Sequence, residues 1–69
     1  MRDFSEILRE LRKEKGISQK ILSEAIGCTE RTIRYYEAHE RRPDLDVLIK
    51  IAGYFDVSLD YLAGLKDER

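Results

Sequence analysis

Ser18–Tyr36, SQKILSEAIGCTERTIRYY, decides the fold of this chain. One apolar pattern stops at Gly27 and a second begins two residues later. Ser18 and Thr29 stand where helices start, because a hydroxyl there accepts from the free backbone N–H groups of the next turn. Leu22, Ile26, Cys28, Ile33 and Tyr36 are spaced to close two helices on a shared core. Arg31, Arg34 and Tyr35 are then left on the outer face of the second helix. Two helices joined by a short turn containing Gly form a helix-turn-helix layout, whose second helix can enter a DNA major groove.

Working outward, residues 4–14 carry Phe4, Ile7, Leu8 and Leu11 as one helical stripe. Asp3 with Glu6 is arranged like a capping box. Arg12, Lys13 and Lys15 suit the dipole at that helix's end, and Gly16 supplies a left-handed stop. Ile17 can staple the entry to a second helix over 18–26. The third helix covers 29–38, with Ile33 and Tyr36 inward and Arg31 almost opposite them. After the polar loop AHERRP, Asp44 can cap a fourth helix over 44–55 with the stripe Leu45, Leu48, Ile51, Ala52 and Phe55. Gly53 within it is unfavourable by about 1 kcal/mol relative to Ala. Ser58 can cap a short fifth helix over 58–64, and the tail LKDER is expected to fray. No strand pattern or repeat is present, so the expected fold is all-α, five helices in a single helix-turn-helix domain over 1–69.

A chain of 69 residues buries only about 60% of its unfolded surface, enough for one marginally stable domain. With 42% hydrophobic and 39% charged residues it has a globular rather than a disordered composition. Its apolar runs are far short of the ~20 residues that span a membrane. The start MRDFSEILRE lacks the apolar centre of a secretory signal. Cys28 is the single cysteine, which excludes an internal disulfide and fits a reducing cytoplasm. The net charge of −1 is low for a nucleic-acid binder, but it is unevenly placed. Residues 1–42 hold ten Lys and Arg against eight Asp and Glu, whereas residues 43–69 hold three against six. That asymmetry suits a protein that docks one face on phosphates.

With these residues in place the chain resembles the phage repressor/Cro type of helix-turn-helix protein, also called the xenobiotic-response-element type. ISQKILSEAIG, CTERTIRYYE, RRPDLDVLIKIA and DVSLDYL carry the resemblance, in order, over roughly residues 4–65. It implies a lambda-repressor-like five-helix domain that binds double-stranded operator DNA as a homodimer and regulates transcription, most often as a repressor. It implies phosphate contacts from Ser18, Gln19, Arg41 and Arg42. It places Thr29, Glu30, Arg31 and Thr32 at the first turn of the recognition helix, with Arg34 and Tyr35 one turn further along. Glu37 matches an acidic residue with a structural role.

Three positions depart from the family pattern. Ser23 stands where alanine is usual, at the closest approach of the two motif helices. His39 stands where glycine is usual, at a position expected to need positive φ. Glu30 puts an acid at the tip of the recognition helix, where it repels phosphate unless it accepts from a cytosine amine or pairs with an arginine. TIRYYE also resembles the mercury-resistance-regulator type of winged helix-turn-helix. In that type the motif opens the chain and a wing follows, whereas here a helix precedes it and RRPDLDVLIKIA follows.

Each functional reading has a bland counterpart. Arg31 and Arg34 could pair with Glu30 or Glu37 on a solvated face. Tyr35 could stack at a phosphate or only shield the helix. Tyr36 and Cys28 read as core. Tyr54, Leu59, Tyr61 and Leu65 exceed what the core needs and form a candidate dimer patch. No metal spacing surrounds His39, and no nucleophile–base pair or glycine-rich phosphate loop is present, so neither a cofactor, a small-molecule substrate nor catalysis is expected. A rival reading is a protein-interaction module of the same fold with weak or no DNA binding, such as an anti-repressor or an antitoxin-like partner.

Overall fold

The computed structural model describes residues 2–69 and, among them, five helices and no strand. Helix α1 spans Phe4–Lys15, α2 Gln19–Ile26, α3 Glu30–Glu37, α4 Leu45–Phe55 and α5 Leu59–Leu62. The all-α architecture read from the sequence is the one observed. Each helix begins one residue inside its expected start or at it, and α5 stops at Leu62, short of the expected 64.

The starts share one chemistry. Asp3, Ser18, Thr29, Asp44 and Ser58 have extended backbones, and the side-chain oxygen of each accepts from the backbone N–H three residues on. The Glu6 carboxylate lies 3.4 Å from Arg2 Nε, outward from the cap. The ends share another chemistry. Gly16, Gly27, His39, Asp56 and Gly64 follow the five helices, with φ of 72°, 86°, 62°, 57° and 83°. The next N–H then reaches back into the last turn: Ile17 to Arg12, Cys28 to Ser23, Glu40 to Tyr35, Val57 to Ala52 and Leu65 to Asp60. This is the Schellman closure. His39 takes the left-handed conformation expected of it, and Asp56 takes one that its sequence context did not suggest.

The helices close on one core of Ile7, Leu8 and Leu11 from α1, Leu22 and Ile26 from α2, Ile33 and Tyr36 from α3, Ile51 and Ala52 from α4, and Tyr61 and Leu62 from α5. Helix α2 packs on α3, α3 on α1, and α4 on both α2 and α5, while α5 also touches α1. Ser23 is buried in this packing, and its hydroxyl donates to the Lys20 carbonyl at 2.7 Å. The polar atom is satisfied within its own helix, so serine fits where alanine is usual.

Three expectations are corrected. Tyr61, assigned to a dimer patch, is a core residue only 6% exposed, because α5 turns it and Leu62 toward α1 and α4 and the Arg69 guanidinium covers its ring at 5.5 Å. Leu45, assigned to the inward stripe of α4, is 63% exposed; the packing of that helix on the core comes from Ile51 and Ala52, with Val47, Leu48, Tyr54 and Phe55 partly buried against it. The tail is held rather than frayed. The Ser58 N–H donates to the Arg69 carbonyl at 2.8 Å, and the Arg69 guanidinium grips both carboxylate oxygens of Glu14 at 2.5 and 2.6 Å. None of the described helices is long and apolar enough to cross a membrane.

Candidate nucleic-acid interface

The turn between α2 and α3 sets the angle at which α3 stands out from the body. Gly27 lies at φ 86°, and the N–H groups of Gly27 and Cys28 both donate to the Ser23 carbonyl, at 2.8 and 3.0 Å. Glycine suits that left-handed turn because it has no Cβ to clash. Cys28 is half-buried against the core, and burial pushes its thiol pKa up, so at neutral pH it is a thiol rather than a reactive thiolate. Burial raises the Tyr36 phenol in the same way.

Helix α3 leaves this turn with Glu30, Arg31 and Arg34 outward. Thr29 Oγ1 accepts from the Thr32 N–H at 3.1 Å and lies 2.9 Å from Thr32 Oγ1, which fixes the helix tip. Glu30, Arg31 and Arg34 are exposed, and Tyr35 is half-buried. Arg31 Nε donates to the Tyr35 hydroxyl at 2.9 Å. Arg34 Nη1 stands 3.8 Å from Glu30 Oε2, a loose pair on an exposed face and worth little. Arg41 and Arg42 follow the helix in the exposed loop before α4, and the Arg41 guanidinium lies 6.0 Å from the Tyr35 ring centroid.

A buried network supports this face from behind. Glu37, 5% exposed, accepts from Arg12 Nε at 2.6 Å, Arg12 Nη2 at 3.1 Å and Gln19 Nε2 at 3.1 Å. The hydrogen bond to Glu37 holds the Arg12 guanidinium above its ordinary pKa. One carboxylate thereby joins α1, the start of α2 and the end of α3. Arg12 read from sequence as a dipole-complementing surface residue; its head instead crosses to another helix. Gln19 has one amide N–H committed to Glu37 and one left over. Ser18 is exposed at the start of α2, its oxygen accepting from the Ile21 N–H.

Arg2, Arg12, Arg34, Lys66 and Arg69 each have a carboxylate within 4.0 Å; among the described residues Arg31, Arg41 and Arg42 have none, nor do Arg9, Lys13, Lys15, Lys20 and Lys50. Sequence reasoning missed Arg9. Its Nη1 donates to the Glu37 backbone carbonyl, and it lines a shallow depression with Gln19, Arg34, Tyr35 and Glu40. Nothing in the α1 pattern marked it, because the contact depends on α1 lying across the end of α3. Tyr54 is half-buried under the Lys15 ammonium, so exposed Leu59 and Leu65 carry what remains of the expected apolar patch.

Comparison with known proteins places this geometry. The profile of the helix-turn-helix family matches residues 8–62. The uncharacterised HTH-type transcriptional regulator YobD of Bacillus subtilis is 38% identical over 65 residues, 94% of this chain and 58% of that protein. The HTH-type transcriptional regulator ImmR of the same organism is 39% identical over 61 residues, 88% of this chain and 47% of that protein. The chain thus spans about half the length of the curated relatives it matches. Among solved structures, the P22 c2 repressor in complex with a synthetic operator superposes with a TM-score of 0.89 at 26% identity, covering 96% of this chain and all of that one. A transcriptional regulator from Listeria innocua superposes at 0.88 with 37% identity, covering 97% of this chain and 63% of that one.

Proposed function

The chain belongs to the helix-turn-helix family of the phage repressor/Cro type, and on that footing we propose that it is a sequence-specific DNA-binding transcriptional regulator whose α3 enters the major groove. The observation that carries the reading is the grouping of exposed cations on the helix and loop that follow the turn: Arg31 and Arg41 lie against the Tyr35 ring, and among the described residues neither they nor Arg42 have a carboxylate partner. An unneutralised cation is attracted to phosphate, and an arginine fork matches guanine O6 and N7.

In this proposal Ser18, Gln19, Arg41 and Arg42 contact phosphates and set the register. Arg31 and Arg34 read bases, while Thr29, Glu30 and Thr32 complete the contact surface and Tyr35 stands among its arginines, against Arg31 and Arg41. The longest dimension of the chain is 28 Å. Half-sites one helical turn apart need recognition helices about 34 Å apart, more than one copy can span. A two-fold operator therefore calls for a homodimer, with exposed Leu59 and Leu65 as the contact between copies. The unit is a single domain over 1–69, works in the cytoplasm and acts as a repressor; no catalytic activity is assigned to it.

The test is selection from random duplex DNA followed by titration. Wild-type protein should recover a two-fold site, and Arg31→Ala and Arg34→Ala should each weaken it by about 1–3 kcal/mol. Equal binding by both variants removes the readout assignment. Glu30, which holds Arg34 at 3.8 Å and repels phosphate, favours a second reading, a protein-interaction module. Failure to bind any duplex even at low salt, where phosphate neutralisation is strongest, selects that reading.

A further inference from the structure

Tyr35 is tied to both kinds of arginine on the candidate face, Arg31 of the helix and Arg41 of the loop. Its hydroxyl accepts from Arg31 Nε at 2.9 Å, one helical turn earlier, and its ring centroid lies 5.6 Å from the Arg31 guanidinium carbon. The Arg41 guanidinium lies 6.0 Å from the same centroid. Its backbone carbonyl accepts from the N–H of Glu40 at 2.9 Å and of Arg41 at 3.4 Å. One residue thus fixes the side chain of the helix arginine and both the side chain and backbone of the loop arginine.

The chemistry of the Arg31 contact matters. Arginine has five N–H donors, and the one on Nε is spent on Tyr35 while the terminal pair keeps its planar fork. A fork held in this way loses less side-chain freedom on meeting a planar acceptor pair such as a guanine edge. We propose that Tyr35 is a positioning residue that presets Arg31 for base readout and Arg41 for the flanking phosphate, rather than a direct DNA contact itself. This rests on the DNA-binding reading above and adds to it the residue that sets specificity without touching a base.

The experiment uses the site selected by the wild-type chain, an unrelated duplex, and the variants Tyr35→Phe, Tyr35→Leu and Arg31→Ala. Tyr35→Phe keeps the ring and deletes the acceptor. It should weaken the selected site about 3- to 10-fold, the scale of ordering one long side chain. It should relax preference at one base pair per half-site and leave both the affinity for unrelated duplex and the salt slope unchanged. In the Arg31→Ala background it should change nothing further. Tyr35→Leu also frees Arg41, and should lower affinity for unrelated duplex as well.

A readout without DNA separates this proposal from the one beneath it. The Arg31 Nε–H should be ordered in nuclear relaxation of the free wild-type chain and mobile in Tyr35→Phe. Equal mobility in the two overturns the positioning role even where DNA binds. A shallower salt slope in Tyr35→Phe, or an undiminished effect in the Arg31→Ala background, also overturns it, by making the hydroxyl a phosphate contact. Recovery of no site by the wild-type chain overturns the DNA-binding reading and this inference with it, whatever the relaxation shows.

Discussion

Arg12 and Glu37 lie 25 positions apart in the chain, yet their side chains meet through two hydrogen bonds, Nε to Oε2 at 2.6 Å and Nη2 to Oε1 at 3.1 Å. Both are largely shielded, with side-chain exposures of 15% and 5%. Removing one partner of such a pair strands the other's charge, which is costlier than losing the attraction alone. Glu37→Ala should therefore destabilise the fold by about 3 kcal/mol, at the low end because Arg12 keeps the Ile17 carbonyl as a partner. Thermal denaturation should show a midpoint about 12–24 °C lower. Replacing both residues with leucine should cost much less, and equal losses for the single and double variants would refute the pair's role.

Glu30 should act on DNA in the opposite direction. Glu30→Gln removes a negative charge from the exposed tip of α3 and releases Arg34 from its 3.8 Å neighbour. Affinity for an unrelated duplex should rise about 2- to 5-fold at low salt, with the gain shrinking as salt screens it. An unchanged or weaker interaction means that the carboxylate accepts from a base or orients Arg34 in the complex.

His39 stands at φ 62°, a conformation that costs a residue with a Cβ of order 1 kcal/mol or more. The contact of its Nδ1 with Ser5 Oγ at 3.3 Å offsets part of that cost. His39→Gly should raise stability by about 0.5–1 kcal/mol, and β-branched His39→Val should lower it. Chemical denaturation of the pair decides this, and a less stable glycine variant would give the Ser5 contact the larger share.

Glu14 carries the pH dependence that the tail introduces. The Arg69 hydrogen bonds hold its carboxyl below the ordinary 4.5. A carboxylate whose folded pKa is depressed contributes stability above its unfolded pKa and loses it as pH falls through the folded value. The Arg69–Glu14 contact is thus complete at neutral pH and released only in acid below 4.5. A nuclear magnetic resonance titration of Glu14 should give a midpoint below 4.5 that returns toward that value in Arg69→Ala. Identical midpoints would mean that the tail does not hold the contact in solution.

Leu59 and Leu65, 41% and 64% exposed, should matter to assembly and not to folding. Changing both to glutamate should leave the unfolding free energy, measured by chemical denaturation, within about 0.5 kcal/mol of wild type. Binding to a two-half-site operator should weaken and lose cooperativity, while binding to an isolated half-site stays the same. Retained cooperativity in the double variant would place the contact between copies elsewhere.

What was legible in the sequence was local. The caps at Asp3, Ser18, Thr29, Asp44 and Ser58 depend on a side chain and an N–H three residues away, so a short window contains both partners. The left-handed stop at Gly16 was readable for the same reason, that at His39 only through the resemblance to a family with glycine there, whereas Asp56 carries no such mark because aspartate is equally at home in ordinary turns. The outward placement of Arg31 and Arg34 followed from helical periodicity. The contacts of Glu37 with Arg12 and Gln19, of Arg9 with the end of α3, and of Arg69 with Glu14 join residues 18 to 55 positions apart. No periodicity encodes them, and they exist only once the helices have packed. Tyr61 was misplaced on the same account, since a helix of four residues is too short for its stripe to be read.

The five left-handed helix ends also bear on how quickly the chain finds its structure. Every helix has its first and last turns bonded to partners within a few residues, so helical limits form before distant segments meet. Loop closure is then needed for only a handful of long-range bonds, and proteins dominated by local contacts fold in microseconds to milliseconds. A chain assembled in this order regains its helices almost as soon as they open, making partial unfolding a brief excursion.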